Sequence, residues 1–408
     1  MSTFAEHALY SEGPSLTAAH RAPLDIVSGN TQGTHPDNNA FFPALDGLRA
    51  LAFLMVFGFH YLQMPWGWTG VDIFFVLSGF LITGILFDSC RHPHRIRNFY
   101  IRRTLRIFPL YYGVVLLLVV LDPIFRWNWS WGFLAWPAYL GNWFRFLYPF
   151  LSRTYLQSVS VAHIQSATFP RVALFLGHFW SLCIEEQFYL FWPWIVFWIK
   201  DRRRLICVCL ACIVVCPVLR STATHFLPRF MVDEGANWWF TPFRIDALLL
   251  GGLLALLRRG GHARTMLLVA RAAFFLLSAA IVLWLILDPA ARFHPQDYVY
   301  PSWDGTWGMT FIDLFAACLI VMALEVRSFT FRIFNLRPLR WLGRISYGAY
   351  VFHDLFHPML TRIARHFLPQ HWQLATAALA LPLTILMAWA SFRWYESRFI
   401  LLKARWSR

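Results

Sequence analysis

Lysine is almost absent from this chain of 408 residues, since Lys200 and Lys403 are the only two. Nearly all of the positive charge is therefore arginine, which suits bidentate binding of carboxylate and phosphate groups. The first 40 residues have no apolar core of signal-peptide length. The sequence also lacks a Gly-x-Ser-x-Gly elbow, a P-loop and a zinc signature, so no motif indicates a serine hydrolase, a nucleoside triphosphatase or a zinc module.

Charged residues make up only 14% of the chain, whereas 58% of it is hydrophobic. A soluble domain of this size does not need so much apolar surface, and the composition predicts an all-α polytopic bundle embedded in the lipid bilayer. The net charge of +15 does not indicate a nucleic-acid partner. The arginines cluster in short loops between apolar segments, where the positive-inside rule places them.

The apolar segments predict about ten membrane spans, with both termini in the cytoplasm. Residues 1–40 are predicted to form a disordered cytoplasmic tail, residues 41–400 the transmembrane domain, and residues 401–408 a short basic cytoplasmic tail. The aromatic segment 131–147 is predicted to be interfacial or re-entrant within an outside region, 122–177, because the basic loops on either side of that region both belong inside. The predicted spans are approximately 46–62, 70–88, 105–121, 178–199, 204–220, 242–258, 265–288, 309–326, 344–361 and 373–396.

The first span carries two ionisable side chains, Arg49 and His60, eleven residues apart. Such groups are costly in hydrocarbon and are usually functional there. Eleven residues are about three helical turns, so both side chains share one face and lie roughly 16 Å apart along the axis. A permanent cation near one membrane surface and a titratable base deep inside, on one face of the helix, predict a site.

Asp72 begins the second span, which returns after a short loop, so it is expected at the same outer end as His60. A carboxylate beside an imidazole fixes its tautomer and raises its basicity, as a general base requires. The simpler alternative is that Asp72 caps its own helix and His60 bonds a local carbonyl. The nearby Arg49 favours the functional interpretation, and we take His60, Arg49 and Asp72 as the predicted catalytic set.

Five residues are candidates for binding a donor. Ser78 and Gly79 place small side chains in mid-membrane, where they suit either close helix packing or a narrow ligand such as a pantetheine arm. A basic stretch enters the third span and suits either lipid head groups or bound phosphates. Its arginines are Arg102, Arg103 and Arg106.

The fourth span opens with Glu185 and Glu186 between Trp180 and Tyr189. One carboxylate is explained by the positive end of the helix. Two of them beside aromatic rings predict an acceptor site for a polar, sugar-like substrate.

Arg244 and Asp246 open the sixth span and complete the predicted substrate-binding set. The alternative is that they pair with charged residues of other spans. His353 and His357 are one turn apart in the predicted ninth span, a spacing that metal ligands use. No third ligand is evident in the sequence, so we predict no metal site. The close group of Cys207, Cys209, Cys212 and Cys216 is better explained by packing than by a metal.

These segments, taken in order, resemble the acyltransferase-3 family of integral membrane acyltransferases, which O-acylate bacterial surface glycans and related acceptors. The resemblance runs from about Phe42 to Phe399. It rests on Asp46-Gly47-Leu48-Arg49-Ala50, the Arg-x10-His spacing of Arg49 and His60, Asp72 with Phe75 to Thr83, Arg102 to Pro109, Ser181-Leu182 with Glu185-Glu186 and Phe188-Tyr189-Leu190, Arg244 with Asp246, Ile345-Ser346-Tyr347, and Tyr350-x-x-His353.

The resemblance implies about ten helices in the bacterial inner (cytoplasmic) membrane and an acyl group, expected to be acetyl, taken from cytoplasmic acyl-CoA. No permanently bound cofactor is expected. Arg49 and His60 carry over as the essential pair, and the run from Arg102 to Arg106 carries over toward the donor. The implied acceptor is a carbohydrate or a lipid-linked glycan. The acyl group, the acceptor and the oligomeric state, including a homo-oligomer, stay open.

The sequence therefore predicts an O-acyltransferase in which Arg49 and the arginine run hold acyl-CoA from the cytoplasm. His60, oriented by Asp72, would act as general base on an acceptor hydroxyl that Glu185 and Glu186 help to position. A covalent acyl-histidine step is left open. The alternative is a transporter or flippase of an anionic or glycan substrate, which needs no acyl-CoA. A non-catalytic scaffold would tolerate the loss of His60.

A topology reporter tests the predicted arrangement. Alkaline phosphatase, which is active only outside the cytoplasm, is expected to be active when fused after Arg153, because that position lies in the predicted outside region. The same reporter fused after Arg203, in a basic loop predicted to be inside, should be inactive. An inactive fusion after Arg153 with stable expression would contradict the topology.

Overall fold

The computed structural model describes residues 42–129, 131–143, 163–169, 172–233, 235–287 and 306–406. All of them belong to one unit, Phe42–Arg408, and they are predominantly helical, as predicted. The predicted tail 1–40 and the end of segment 131–147 lie outside the described residues.

Fifteen α-helices follow one another along the described parts of the chain. They are α1 Pro43–Leu62, α2 Gly70–Asp88, α3 Arg95–Phe125, α4 Trp180–Ile199, α5 Arg202–Phe226, α6 Ala236–Trp239, α7 Ile245–Arg258, α8 Ala263–Leu287, α9 Trp307–Ala323, α10 Phe329–Phe334, α11 Arg337–Arg344, α12 Ser346–His353, α13 His357–Phe367, α14 Trp372–Ser391 and α15 Ser397–Trp406. Single 3₁₀ turns occupy Gly67–Thr69, Trp131–Ala135, Gly177–Phe179 and Thr241–Phe243, and π-helical turns occupy Arg229–Asp233 and Phe392–Glu396.

A small antiparallel hairpin departs from the predicted all-α fold. Its strands are β1 His163–Gln165 and β2 Ala173–Phe175, paired with His163 opposite Phe175. The amide of Phe175 donates to the carbonyl of Leu355 at 3.1 Å, which ties the hairpin to the segment between α12 and α13. The hairpin belongs to the region between α3 and α4, which the sequence predicts to lie outside the membrane.

Six of the described helices are long and apolar enough to cross a bilayer by length and composition. They are Pro43–Leu62, Gly67–Asp88, Arg95–Phe125, Arg202–Phe226, Ala263–Trp284 and Trp372–Leu402. Trp307–Ala323 is apolar but shorter. The chain is thus a multi-pass membrane protein, whereas ten spans and two cytoplasmic termini stay predictions.

The predicted ninth span, 344–361, is not one helix. α12 ends at His353 and α13 begins at His357, with a turn over Asp354–Phe356 between them. Pro358 in the first turn of α13 explains the break, since proline lacks the amide that would continue a helix. His353 and His357 therefore lie on separate helices rather than one turn apart on one helix, and the break places a carboxylate, Asp354, inside the bundle.

Helices α2 and α7 pack closely against each other in the core. α2 is apolar on all sides, which is typical of a helix surrounded by others. A side chain at Gly79 would collide with the backbone of Leu248, and one at Gly251 with the backbone of Val76. Small residues allow such close approach between membrane helices. Of the two predicted explanations for Gly79, the structure supports helix packing, because α7 fills the space beside it.

A methyl group at Gly79 should destabilise the protein. We expect Gly79→Ala to lower the thermal midpoint in detergent, because overpacking typically costs about 1–3 kcal/mol. Gly113→Ala is the matched control within a long helix, since the added carbon would lie 3.3 Å from its nearest neighbour, the hydroxyl of Tyr395. Equal midpoints for the two variants, measured by thermal gel filtration, would contradict the close α2–α7 contact.

Candidate active site

Three imidazoles surround the buried carboxylate of Asp354. His60 Nδ1, near the end of α1, lies 3.4 Å from Asp354 Oδ2. His178 Nδ1, in the turn before α4, lies 3.9 Å from the same oxygen, and His357 Nδ1 lies 3.0 Å from Oδ1. The Asp354 side chain is only 1% exposed. A buried carboxylate needs hydrogen-bonding or charged partners, and among the described residues these imidazoles, from three separate elements, are the ionisable groups that approach it.

A fourth imidazole, His353, packs against this cluster. Its ring centre lies 5.2 Å from that of His60 and 4.9 Å from that of His178. His353 Nδ1 donates to the carbonyl of Tyr350 at 2.6 Å, and His178 Nε2 donates to the carbonyl of Val351 at 3.0 Å. A carbonyl only accepts, so these bonds assign the proton of each neutral ring to the bonded nitrogen. His353 Nε2 and His178 Nδ1 consequently carry no proton, and each nitrogen presents a lone pair.

Hydroxyl groups brace the helix ends around the cluster. Tyr61 donates to the carbonyl of His353 at 2.5 Å, which joins α1 to the end of α12. The hydroxyls of Ser181 and Tyr350 are 2.5 Å apart, and Tyr350 also donates to the carbonyl of His178 at 3.0 Å. These bonds join α4 to α12 and hold the imidazoles in fixed positions.

A cavity of about 250 Å³ opens beside His60. Indole rings form much of its wall, and its polar side chains are few, as in small-molecule sites generally. His60, His178 and Arg244 supply charge or hydrogen-bonding capacity. The other lining residues are Val56, Phe59, Trp68, Val71, Phe175, Gly177, Trp180, Trp238, Trp239 and Tyr350.

The structure does not pair Asp72 with His60. Asp72 forms a buried ion pair with Arg244, and the carboxylate beside His60 is Asp354. The reason is the close packing of α2 on α7, which brings the start of α2 against the residue that precedes α7. The Arg244 guanidinium also lies 5.6 Å from the ring centre of Phe75 and 5.9 Å from that of Trp238. Asp72 therefore holds Arg244 at the cavity wall.

Asp246 does not line the cavity. It accepts from Arg220 at 2.8 Å and from Thr310 at 2.8 Å, in a buried network that joins α5, α7 and α9. Arg220 also donates to the carbonyls of Phe243 and Thr306, at 2.5 and 2.9 Å. The contacts of Asp246 are those of a residue that fixes helices to one another.

The other end of α1 carries an arginine group. Arg49 is bound to Asp46 at 2.6 Å and its side chain stays 21% exposed. The charges of Arg49 and Arg103 both act on Arg106. Arg102 lies beside Arg103 on α3 and is half-buried. Of the arginines predicted to bind the donor, Arg103 and Arg106 thus lie near Arg49, away from the imidazoles.

Glu185, Glu186 and Tyr189 lie with the arginines rather than at the cavity. Glu185 accepts a hydrogen bond from Ser78 and feels the charges of Arg103 and Arg49. The Arg103 guanidinium lies 5.0 Å from the ring centre of Tyr189. Of the residues predicted at the start of α4, Trp180 lines the cavity, because α4 runs from the cavity toward the arginine group.

Sequence reasoning missed His178 and Asp354. Both are ionisable residues within predicted apolar spans, which is the signal that marked Arg49 and His60. Asp354 directly follows His353, whose neighbour His357 was already of interest as a ligand. Applying that signal to every span would have found the carboxylate, although not its partner in α1.

The chain thus forms a helical membrane bundle that carries an imidazole and a carboxylate at one end and arginines at the other. A family model described as an acyltransferase domain, that of the acyltransferase-3 family, matches residues 42–393. The chain belongs to this family of acyltransferases, and the predicted resemblance is confirmed.

Particular relatives are peptidoglycan O-acetyltransferase OatA of Listeria monocytogenes serovar 1/2a, with 29% identity over 371 residues, and putative peptidoglycan O-acetyltransferase YrhL of Bacillus subtilis, with 30% over 372. O-acetyltransferase OatA of Staphylococcus aureus shares 26% over 373 residues. Each alignment covers 88% of this chain but only 55–57% of the relative, so the chain spans little more than half the length of these proteins. No solved structure matches the chain.

Two identical substitutions on α2 test the buried ion pair. Asp72→Asn should destabilise the protein by about 3–5 kcal/mol, because it leaves the Arg244 charge buried without its partner. Asp88→Asn is the control, since Asp88 and Arg259 are 44% and 28% exposed, and exposed pairs contribute about 0–1 kcal/mol. Similar losses of thermal stability in both variants would argue against the pairing.

Proposed function

We propose that this chain is a membrane O-acyltransferase that moves an acyl group, acetyl by analogy with the names of its relatives, from cytoplasmic acyl-CoA to a hydroxyl of an envelope carbohydrate. The observation that carries the proposal is His60, which lines an aromatic cavity while Asp354 lies behind its ring. Family membership supports the reaction class. The relatives named for peptidoglycan make a peptidoglycan sugar the first acceptor to test.

His60 is the proposed general base. The proposed base is the neutral ring with its proton on Nδ1, which lies 3.4 Å from Asp354 Oδ2, so that Nε2 keeps a lone pair for the acceptor. Nε2 takes the proton of the hydroxyl while the oxygen attacks the thioester carbonyl carbon. When the intermediate collapses, the carbon–sulfur bond breaks. The sulfur of CoA takes that proton from the imidazolium and leaves as a thiol. Asp354 stabilises the imidazolium formed between these two steps.

Arg244 is the proposed stabiliser of the oxyanion. Its guanidinium lines the same cavity as His60, and its ion pair with Asp72 fixes its position before substrate arrives. A preorganised charge in a site of low dielectric is worth more than the same charge in water. Asp72 is therefore proposed to position Arg244 without contacting the reacting atoms itself.

The arginine group is the proposed donor site. Arg49, Arg103 and Arg106 lie near one another at the far end of α1, and guanidinium groups bind phosphates through paired hydrogen bonds. Tyr189 lies under Arg103 and supports its orientation. Because this end must face the cytoplasm to meet acyl-CoA, the proposal places the protein in the bacterial cytoplasmic membrane, with the cavity on the outer side.

The thioester must travel from the arginine group to His60. Ser78 lies seven residues along α2 from the cavity residue Val71, which is roughly 10 Å. The Ser78–Glu185 hydrogen bond therefore lies between the two ends, and the thin pantetheine arm is proposed to pass beside it. Gly79 contributes by letting α7 approach, not by widening this passage.

Loss of the base or of its carboxylate should abolish most acyl transfer. We expect His60→Ala to lower kcat by about 10²–10⁴-fold, the usual contribution of general-base catalysis. Asp354→Asn should lower kcat in the same direction with little change in the KM for acetyl-CoA, because Asp354 acts on the imidazole. The measurement is transfer of labelled acetyl from acetyl-CoA to peptidoglycan fragments by membranes.

His92→Ala is the matched control, since His92 is an exposed imidazole in the loop between α2 and α3. It should keep full activity. Full acyl transfer by His60→Ala would contradict the proposal that His60 is the general base. Movement of the glycan across the membrane without acyl-CoA, unaffected by loss of acyl transfer, would favour a transporter instead.

A further inference from the structure

The imidazole cluster holds a set of atoms suited to a metal. One ligand atom from each of His60, His353 and Asp354 lies within 4.8 Å of the others. Two imidazole nitrogens and one carboxylate oxygen, with a fourth position open, are a donor set that zinc uses in proteins. The cavity beside His60 supplies the open side and a route of entry.

The hydrogen bonds of the imidazole rings also fit a metal site. In metal sites a ligating histidine donates its other ring N–H to a carbonyl or carboxylate, which fixes the ligand nitrogen as a lone pair. His353 does this through Nδ1 and Tyr350 at 2.6 Å, and its Nε2 has no hydrogen-bond partner among the described residues. His178 does the same through Nε2 and Val351, leaving Nδ1 without a partner in that part of the chain.

Charge is also unbalanced at this point. Within the described ranges, the ion-pair partners of Asp354 are His60, His178 and His357, with no arginine or lysine among them. Neither oxygen of Asp354 has a hydrogen bond of good geometry to a described donor. Lone pairs that face a buried anion repel it, and a cation between them converts that repulsion into bonding.

We propose that His60, His353 and Asp354 bind one divalent cation of the zinc type, and that its binding stops acyl transfer. His178 Nδ1, 3.9 Å from Asp354 Oδ2, is available at the edge of the site as a fourth ligand. The binding does not depend on the proposed function. The inhibition does rest on it, because an imidazole whose ring is held by a metal no longer serves as the free base that His60 provides.

Direct metal binding tests the site. Full-length protein without a polyhistidine tag is dialysed in detergent against Zn²⁺, and bound zinc is counted by mass spectrometry. We expect one Zn²⁺ for each chain. Replacing groups that only orient a ligand already weakens affinity by about 10–100-fold, so His353→Gln and Asp354→Asn should each weaken binding by at least ~100-fold.

Two controls exclude other sources of zinc. Cys207→Ser with Cys212→Ser removes thiols that are accessible or partly so, and His92→Ala removes an exposed imidazole; both variants should bind as the wild type does. Gel filtration selects variants that remain folded, and the visible spectrum of a cobalt-substituted sample reports the coordination geometry of the bound metal without any activity assay. Folded His353→Gln and Asp354→Asn proteins that bind Zn²⁺ like the wild type would overturn the site.

The activity arm separates the two proposals. Zn²⁺ at the concentration that fills the site should abolish acetyl transfer by the wild type, and EDTA should restore it. Full transfer by zinc-saturated protein, or loss of transfer on adding EDTA, would overturn the inhibition. If no zinc binds while His60→Ala abolishes transfer, the metal proposal fails and the proposed function stands.

Discussion

The carboxylate of Asp354 is the constraint on which the rest of the site depends. Removing an anion from water costs several kcal/mol unless its partners are well placed. Here the partners come from α1, from the turn before α4 and from the start of α13, so these elements must converge on one point. The break that Pro358 imposes between α12 and α13 places Asp354 at that point, and the hairpin amide bound to Leu355 lies next to it.

A second set of buried charges fixes Arg244 at the cavity wall and holds the helices around it. Arg244 with Asp72 joins the start of α7 to α2, and Arg220 with Asp246 joins α5 to α7. The Arg220 guanidinium also donates to a carbonyl, and that of Arg244 lies against an aromatic ring. The cavity is thus lined by an imidazole and by an oriented guanidinium. α1 extends from there to the arginine group roughly 16 Å away.

Much of the helical fold could be predicted from the sequence, because membrane helices are long apolar runs with arginines at their ends. Residues 70–88 were predicted as a span and form α2, and Arg49 and His60 lie at opposite ends of α1 as expected. The family resemblance could be read from the order of the motifs. The single span predicted over 344–361 failed, because hydropathy does not register a proline placed to begin a new helix.

The pairing of side chains could not be predicted, because it depends on which helices pack together. His60 and Asp354 are far apart in the chain, and Asp72 was the nearer carboxylate at the correct end of the bundle. Only the close contact of α2 with α7 shows that Asp72 is already paired with Arg244. For the same reason Glu185 was expected at the acceptor, whereas the direction of α4 places it by Arg103.

The proposed mechanism requires that α1 separate a donor end from an acceptor end on opposite faces of the membrane. Proteoliposomes with acetyl-CoA outside, and peptidoglycan fragments either sealed inside or added outside, test it most directly. We expect labelled acetyl only on the sealed fragments, since the donor and acceptor must meet from different sides. Equal labelling of fragments added on the same side as acetyl-CoA would contradict it.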